Sequence, residues 1–350
     1  MRFTFPDRLS RQLLAVAGVV ALSLGATACG SDSKNSSSSG GGATTSKTDT
    51  KKKVRVAYLS FAVANSYDAP MLAAAKDVAS ANNADITVFD ANNDPKKQFS
   101  QLQNAVTGGR FDVIVTQPIF GTGLLTGVQD ALAKGVKVVN MDQILGEDLS
   151  TSKPQVPGLS ANISFVPTEI GRKLGELTVK ACASKQLDPC KVGYMFSIKA
   201  SGLDAAIRKG YDKAIAGSPV SVVSEGEGFF QVSLALKATQ NMLQAKPDIQ
   251  VIVGADQSIQ GAEQALPKNG NVLLVGFGGS EVAKNRVLAG KWFGDVAQLP
   301  ATEGRLALEA AIAAVRDGKN SGGQDPVSQL PNGGVITKDT AAAFNAEWPG

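Results

Sequence analysis

Two aspartates, Asp142 and Asp256, each follow a short apolar run that predicts a β-strand. A pair of carboxyl groups could in principle serve as the acid and base of glycoside hydrolysis. These two belong to different halves of the chain, however, and an aspartate after a strand is often a helix N-cap or a turn residue. The sequence contains no histidine, which excludes Ser-His-Asp and Cys-His nucleophiles and disfavours zinc. We therefore predict that the protein is not an enzyme and has no catalytic residue, no metal and no cofactor.

Nucleotides and nucleic acids are not expected partners either. The glycine-rich turn Gly276-Phe277-Gly278-Gly279 lacks the Gly-x-Gly-x-x-Gly spacing of a dinucleotide site. The net charge is only +4 over 350 residues, and Lys47 and Lys51 to Lys53 supply part of it. Such a balance does not give the basic footprint of a nucleic-acid-binding protein.

The first residues have the layout of a secretory signal. Arg2, Arg8 and Arg11 precede an apolar run from Leu13 to Leu24, which is much shorter than the roughly 20 residues that cross a bilayer. The following Ala26-Thr27-Ala28-Cys29-Gly30 resembles a bacterial lipobox, with residues 1–28 as the signal peptide and Cys29 as the lipid attachment site. Ala26 stands where leucine is usual, so ordinary signal-peptidase cleavage stays an alternative.

Residues 29–52 are predicted to form a flexible, lipid-anchored tether. The stretch from Ser31 to Thr50 consists largely of Ser, Gly, Thr and Lys and offers almost nothing apolar to bury. A tether of this kind would hold a folded body away from the outer face of the cytoplasmic membrane. A merely disordered N-terminus is the alternative.

The chain contains three cysteines. With Cys29 used for lipid, Cys182 and Cys190 remain as a pair that could close a short disulfide loop in an oxidising compartment. Two separately buried, reduced thiols are the alternative.

From Val54 onward, short β-branched runs alternate with longer runs of helical period, the pattern of parallel sheets with helices on both faces. The predicted strands are Val54 to Leu59, Ile86 to Phe89, Val113 to Thr116, Val136 to Asn140, Val192 to Phe196, Val220 to Val223, Val251 to Val253 and Val272 to Val275. The predicted helices are Met71 to Asn82, Lys96 to Thr107, Leu124 to Lys134, Glu169 to Ala183, Leu203 to Ala216, Val232 to Gln244, Gln260 to Leu266 and Thr302 to Val315.

The chain also repeats itself. A strand-helix-strand unit from Val113 to Val139 has a counterpart from Val251 to Val275, with similar Gly-x-x-x-Ala-Leu helices and Lys-Gly or Asn-Gly turns. We therefore predict an α/β fold with two similar doubly wound parallel-sheet lobes joined by a hinge. The lobe boundaries are 53–162 plus 299–322 for lobe 1, and 163–298 plus 323–350 for lobe 2. Resemblance among unrelated α/β units is the alternative.

Ordered motifs along the chain resemble those of the type I periplasmic binding proteins of sugar transport, the family of the ribose-, galactose- and xylose-binding proteins. They cover Val54 to about Arg316 and comprise Asp112-Val113-Ile114-Val115 with Pro118, Ala133 to Val139 closing on Asp142, Gly254-Ala255-Asp256 with Gly261-Ala262, Val275 to Gly279, and Val296-Ala297-Gln298 with Pro300. The resemblance implies a two-lobed fold that closes on a solute. It also implies an ABC permease as partner, and we expect a monomer.

In lobe 1, the resemblance implies that Asn65 and Tyr67 form a sugar-contacting loop after the first strand. Asp142 takes the place of a carboxylate that accepts two hydroxyl protons. An arginine follows that aspartate in many relatives, whereas this chain has Gln143. Tyr67 as ordinary surface packing is the alternative.

In lobe 2, the resemblance implies an aromatic wall from Phe229 or Phe230, a hydroxyl-binding carboxylate at Asp256 and an amide at Gln298. Arg208 is a further candidate ligand, but it lies one residue after the family's arginine position, a turn of about 100° on a helix. A side chain that points at solvent is the alternative. Two tryptophans, Trp292 and Trp348, are interpreted as packing residues because neither follows a strand on the cleft side.

The sequence therefore predicts an exported, solute-binding lipoprotein of an ABC importer that takes a monosaccharide or a related small polar solute. A sensor in the cell envelope for a solute such as an autoinducer or a nucleoside is the alternative. An intracellular regulator of the same fold is disfavoured, because an export signal and a tether occupy the place of a DNA-binding head.

Overall fold

The computed structural model describes residues 52–267 and 270–350. The predicted signal peptide, Cys29 and all of the predicted tether except Lys52 lie outside the described residues. Within the described ranges, no helix combines the length and the apolar character that a bilayer span requires.

Strands and helices alternate along the described chain. The strands are β1 (Val54–Ser60), β2 (Ala84–Asp90), β3 (Val113–Thr116), β4 (Lys137–Asp142), β5 (Ala161–Ser164), β6 (Cys190–Phe196), β7 (Val220–Glu227), β8 (Val251–Ala255), β9 (Leu273–Gly278), β10 (Gly294–Ala297), β11 (Gly322–Gln324) and β12 (Val335–Ile336). The α-helices are α1 (Asp68–Ala81), α2 (Pro95–Thr107), α3 (Leu125–Ala133), α4 (Pro167–Ser184), α5 (Gly202–Ile215), α6 (Val232–Ala245), α7 (Asp256–Ala265), α8 (Glu281–Leu288) and α9 (Pro300–Arg316).

The strands form two six-stranded sheets with equivalent strand orders. The first runs β11-β5-β4-β3-β1-β2, and the second runs β12-β10-β9-β8-β6-β7. All pairings are parallel except that of β12 with β10. The predicted repeat becomes β3-α3-β4 in the first sheet and β8-α7-β9 in the second. The prediction of two doubly wound, mostly parallel lobes is confirmed.

Each sheet is covered by helices on both faces, which is why its central strands are buried along their whole length. The four residues of β3 are all buried, and so are the five residues of β8. Side-chain caps set several helix starts: Asp94 accepts from the amides of Lys96 and Lys97, and Ser280 accepts from the amide of Ala283. The cores lie between sheet and helices, and the carboxyl ends of both sets of strands remain for a site.

The structure contains all eight predicted strands and adds β5, β10, β11 and β12. These four have only two to four residues each, too few to show a hydrophobic period. The first sheet extends to Ser164 and to Gln324, two residues further than the predicted boundaries at 162 and 322. The chain thus crosses between the lobes slightly later than its sequence predicts.

Cys182 near the end of α4 and Cys190 at the start of β6 are joined by a disulfide, with Cα atoms 5.8 Å apart. Both residues are fully buried in the core of the second lobe. The bond therefore ties a helix of this lobe to its sheet.

Candidate binding site

A cavity of about 60 Å³ lies between the carboxyl ends of the two sets of strands. Both sheets contribute residues at strand ends, with Asp142 from β4 and Gly278 from β9. Six of the residues that the sequence predicts as ligand-binding line this cavity: Asn65, Tyr67, Asp142, Gln143, Phe230 and Gln298.

The wall from the first lobe carries two buried carboxyl groups, those of Asp68 and Asp142. The side-chain amide of Gln117 connects them, because its Nε2 donates to Asp68 Oδ1 at 2.5 Å and to Asp142 Oδ2 at 3.2 Å. Gln117 is itself fixed, since its Oε1 accepts from the amide of Phe61 at 3.0 Å. The two acids are thereby held side by side at the cavity.

Local backbone geometry turns Asp142 toward the cavity. It is the last residue of β4 and has a φ of +66°, a left-handed conformation that aspartate and asparagine tolerate better than most residues. Asn65 shapes the neighbouring loop, because its Oδ1 accepts from the amide of Tyr67 at 2.8 Å. Both Asn65 and Asp142 line the cavity.

Burial without a cationic partner changes the titration of these acids. Desolvation raises the pKa of Asp142 to about 7. Desolvation and the neighbouring Asp142 charge raise the pKa of Asp68 well above its usual range. Glu303, in the first turn of α9, is fully buried, and burial together with Asp142 raises its pKa well above the usual range. Neither carboxyl oxygen of Glu303 has a hydrogen-bond partner among the described residues.

Aromatic rings form most of the remaining wall. The rings that line the cavity are Phe61, Tyr67, Phe165, Phe230, Phe277 and Trp348. They come from both halves of the chain, so the apolar wall is complete only when the two lobes face each other. Four amides, those of Asn65, Gln143, Gln257 and Gln298, add neutral donors and acceptors.

The interpretation of Trp348 as a packing residue is corrected by the structure. Its indole Nε1 donates to the carbonyl oxygen of Gly278 at 2.7 Å, and its ring meets that of Tyr67 edge-on at 5.4 Å. The C-terminal segment therefore carries a cavity wall that follows no strand, which is why the pattern of strand ends missed it. Trp292 is packing as interpreted: it is 1% exposed, and its indole donates to Glu263.

Asp256 is not on the cavity wall, contrary to the expectation. It is fully buried at the start of α7, and its Oδ2 accepts from the amide of Ser280 at 2.8 Å. Its second oxygen lies near Gly276 with Asp295 beside it. Burial and the Asp256 charge raise the pKa of Asp295 well above its usual range, which favours a proton held between the two acids. The neighbouring Gln257 faces the cavity instead.

Phe229 and Arg208 also lie away from the cavity. Phe229 is 45% exposed, whereas its neighbour Phe230 lines the site. The guanidinium of Arg208 donates to Asp212 at 2.7 Å and to Glu225 at 2.6 Å, on the outer surface of the second lobe. The one-residue offset on α5 is the physical reason, because it rotates the side chain by about 100°.

Several cavity residues were not predicted. Phe61 and Asp68 follow the predicted strand Val54 to Leu59, so a wider window after that strand would have included them. Phe165 follows β5, which the sequence did not predict. Ala255, Phe277 and Gly278 also come soon after predicted strands, but residues of these types at such places commonly serve the core. Leu203, at the start of a predicted helix, does not directly follow a predicted strand. Within the described residues, no group of three or more His, Cys, Asp or Glu is arranged to hold a metal.

Two sheets of equivalent order with a cavity at their facing strand ends define a two-lobed binding protein. The family model described as a periplasmic binding protein domain matches residues 56–320. The chain therefore belongs to this family, whose members work outside the cytoplasm.

Individual relatives agree with this assignment. The ribose import binding protein RbsB of Bacillus subtilis (strain 168) is 28% identical over 228 residues, 65% of this chain and 70% of the relative. The xylitol-binding protein of Mycolicibacterium smegmatis is 25% identical over 339 residues, 95% of this chain and 87% of the relative. These relatives are binding proteins rather than enzymes.

The fold is similar to that of solved structures. One is an ABC transporter solute binding protein from Mycobacterium smegmatis with bound glycerol, with a TM-score of 0.70 at 24% identity over 85% of this chain and all of that one. At this identity the similarity supports the shared fold.

Proposed function

We propose that the protein is the solute receptor of an ABC importer, which captures a monosaccharide, polyol or related hydroxylated solute between its two lobes and delivers it to a membrane permease. The observation that carries this proposal is the cavity itself, to which both sheets contribute rings and polar side chains. Rings suit the C–H faces of a sugar, and the carboxyl and amide groups suit its hydroxyls. Closure of the two lobes about a hinge would remove the rings and the polar groups from water at the same time.

A thermal-shift screen tests the proposal. A solute that binds only the folded protein raises the melting temperature by mass action, so at least one member of a panel of sugars, polyols and their amino derivatives is expected to do so. Isothermal titration then gives the Kd. The absence of any shift across the panel would overturn the assignment.

Two adjacent phenylalanines provide a matched pair of variants for testing where a solute found in the screen binds. Phe230 lines the cavity and Phe229 does not, although both have a φ near +50°. We expect Phe230→Ala to weaken binding by about tenfold or more and Phe229→Ala to leave it within about twofold. Equal losses in the two variants would contradict the placement of the site.

We also propose that Cys29 carries the lipid that keeps the receptor at the outer face of the cytoplasmic membrane. The lipobox-like residues before it and the polar stretch after it support this. Metabolic labelling with a fatty acid is expected to mark the wild type and not Cys29→Ser.

A signalling receptor for an autoinducer or nucleoside would use the same cavity. Deleting the gene of a signalling receptor would leave solute uptake unchanged, whereas deleting the gene of an import receptor would abolish uptake.

A further inference from the structure

The cavity has an unusual balance of charge for a site that binds neutral solutes. Asp68 and Asp142 both line it, 5% and 6% exposed. Among the described residues, no lysine or arginine lines it. Gln143 occupies the place directly after Asp142, where a cationic side chain would have balanced the acids. The wall therefore presents two acids and, among the described residues, holds no counter-charge of its own.

Behind this wall lies a third buried acid. Glu303 is fully buried, its carboxyl oxygens have no hydrogen-bond partner among the described residues, and it interacts electrostatically with both Asp142 and Asp68. Lys173, which interacts with Asp325 nearby, directs its ammonium to the carbonyl oxygen of Gly333 at 2.6 Å and is not part of the wall. Ionising buried acids that have no partner is unfavourable, and a neutral sugar would not offset that cost.

The rest of the wall is aromatic. Rings from the first half of the chain, among them Tyr67, face the same space as Phe230, Phe277 and the C-terminal Trp348. The face of an aromatic ring carries partial negative charge and attracts cations, including quaternary ammonium groups. Rings and acids around one space are thus complementary to a positive charge.

From these observations we infer that the solute is a small organic cation, an ammonium group carried on a hydroxylated body such as an amino sugar or an amino polyol. The inference rests on the proposed function, because it needs the cavity to be the solute site, and it adds the charge of the solute. The ammonium would lie between Asp68, Asp142 and the rings, and the amides of Gln257 and Gln298 would take the hydroxyls.

Pairs of solutes that differ mainly in charge test the inference. The probes are N-methyl-D-glucamine against D-glucitol, and choline against 3,3-dimethylbutan-1-ol. Titration is done in phosphate at pH 8, because amine buffers would compete and because Asp142 is largely ionised there. We expect a cationic member to bind at least about tenfold tighter than its neutral partner.

The outcomes separate this inference from the proposed function. A neutral member that binds as tightly as its cationic partner, or more tightly, overturns the charge assignment and leaves the solute receptor standing. Failure of every probe, cationic and neutral, overturns the charge assignment and counts against the receptor as well.

Asp142→Asn provides the matched variant. Asparagine is nearly the same size and also tolerates the φ of +66°, so the variant is expected to fold and to melt no lower than the wild type without solute. It should bind the cationic probe at least about tenfold more weakly and lose most of the preference over the neutral partner. Asp130→Asn, which removes an exposed carboxylate paired with Lys134, should change neither value. A full preference retained in Asp142→Asn would overturn the inference.

Discussion

The two lobes share a strand order but use the polar residues after equivalent strands in different ways. In the first lobe, Asp142 ends β4 at the cavity, and Gln117 after β3 holds it there. In the second lobe, the equivalent places are Gly278 at the end of β9 and Asp256 after β8, and Asp256 binds the amide of Ser280 instead of facing the cavity. The scaffold therefore determines where a polar residue can lie, and its neighbours determine what it faces.

The aspartates near the starts of α1 and α5 show the same contrast. Asp204 accepts from the amides of Ser197 at 2.7 Å and Ile198 at 2.9 Å and from the hydroxyl of Ser201 at 3.1 Å. Asp68 receives the side-chain amide of Gln117 and lines the cavity. Asp68 and Asp142 of the first lobe therefore line the cavity, whereas Asp204 and Asp256 of the second lobe bind its own backbone.

The largest expected effect separates these two aspartates. Asp204→Ala leaves two buried amides without an acceptor, so we expect the free energy of unfolding to fall by about 3–4 kcal/mol. Asp68→Asn keeps an acceptor for Gln117 and removes a buried charge, and it should stay within about 1 kcal/mol of the wild type. Urea denaturation measures both. Similar losses in the two variants would contradict the division of roles.

The pH dependence of stability tests the buried acids of the cavity without solute. Because the folded pKa of Asp142 is about 7 against 3.8 for the free group, the folded state binds more protons between these values and its stability falls as pH rises. This group alone predicts a loss of about 2–3 kcal/mol from pH 5 to pH 8. The groups that face it are Asp68, Glu303, Tyr58, Tyr67 and the Gln117 amide.

Urea denaturation at the two pH values provides the measurement. Asp142→Asn is expected to flatten the dependence, and Asp130→Asn is the control with an exposed carboxylate. If the free energy of unfolding of Asp142→Asn depended on pH as strongly as that of the wild type, Asp142 would not be an uncompensated buried acid.

Reduction of the disulfide tests a feature that only the second lobe has. The bond between Cys182 and Cys190 closes a loop with a sequence separation of 8, and a loop of this size is worth about 2.5 kcal/mol in the chain-entropy model. We expect dithiothreitol to lower the free energy of unfolding by about that amount. The stability of the double variant Cys182→Ser/Cys190→Ser should not change with the reductant. A change there would show that the effect of dithiothreitol does not come from this disulfide.

The smallest expected effect concerns the place in the second lobe that corresponds to Asp142. Gly278 has a φ of +145°, and a Cβ there would lie 2.8 Å from Trp348. Gly278→Ala should lower the free energy of unfolding by about 1–3 kcal/mol and displace Trp348 from the wall. In a Trp292→Phe background, the fluorescence of Trp348 should shift to the red. Gly290 also has a positive φ, but a Cβ there would have no neighbour within 4 Å. Gly290→Ala is therefore the control for backbone strain alone.

Much of this fold could be predicted from the sequence because it depends on local pattern. The apolar runs of β3 and β8, the repeated units around them and the alternation with helices follow from burial and periodicity, which neighbouring residues encode. For the candidate site, the family resemblance pointed to Asn65, Tyr67 and Asp142 after predicted strands, and all three residues line the cavity. The position of a strand end does not state which of two adjacent side chains faces the cavity. For this reason Asp256 was predicted at the site, whereas the neighbouring Gln257 lines it.

The sequence by itself determined the family, the two matched lobes and the strand ends at which a site can form. Only the tertiary structure decided that Asp142 faces the cavity while Asp256 faces its own backbone, and that Trp348 closes the wall. The reason is distance along the chain: Gln117 and Asp142 are 25 residues apart, and Trp348 and Gly278 are 70 residues apart. Contacts over such separations form only when the lobes have folded, so no local pattern records them.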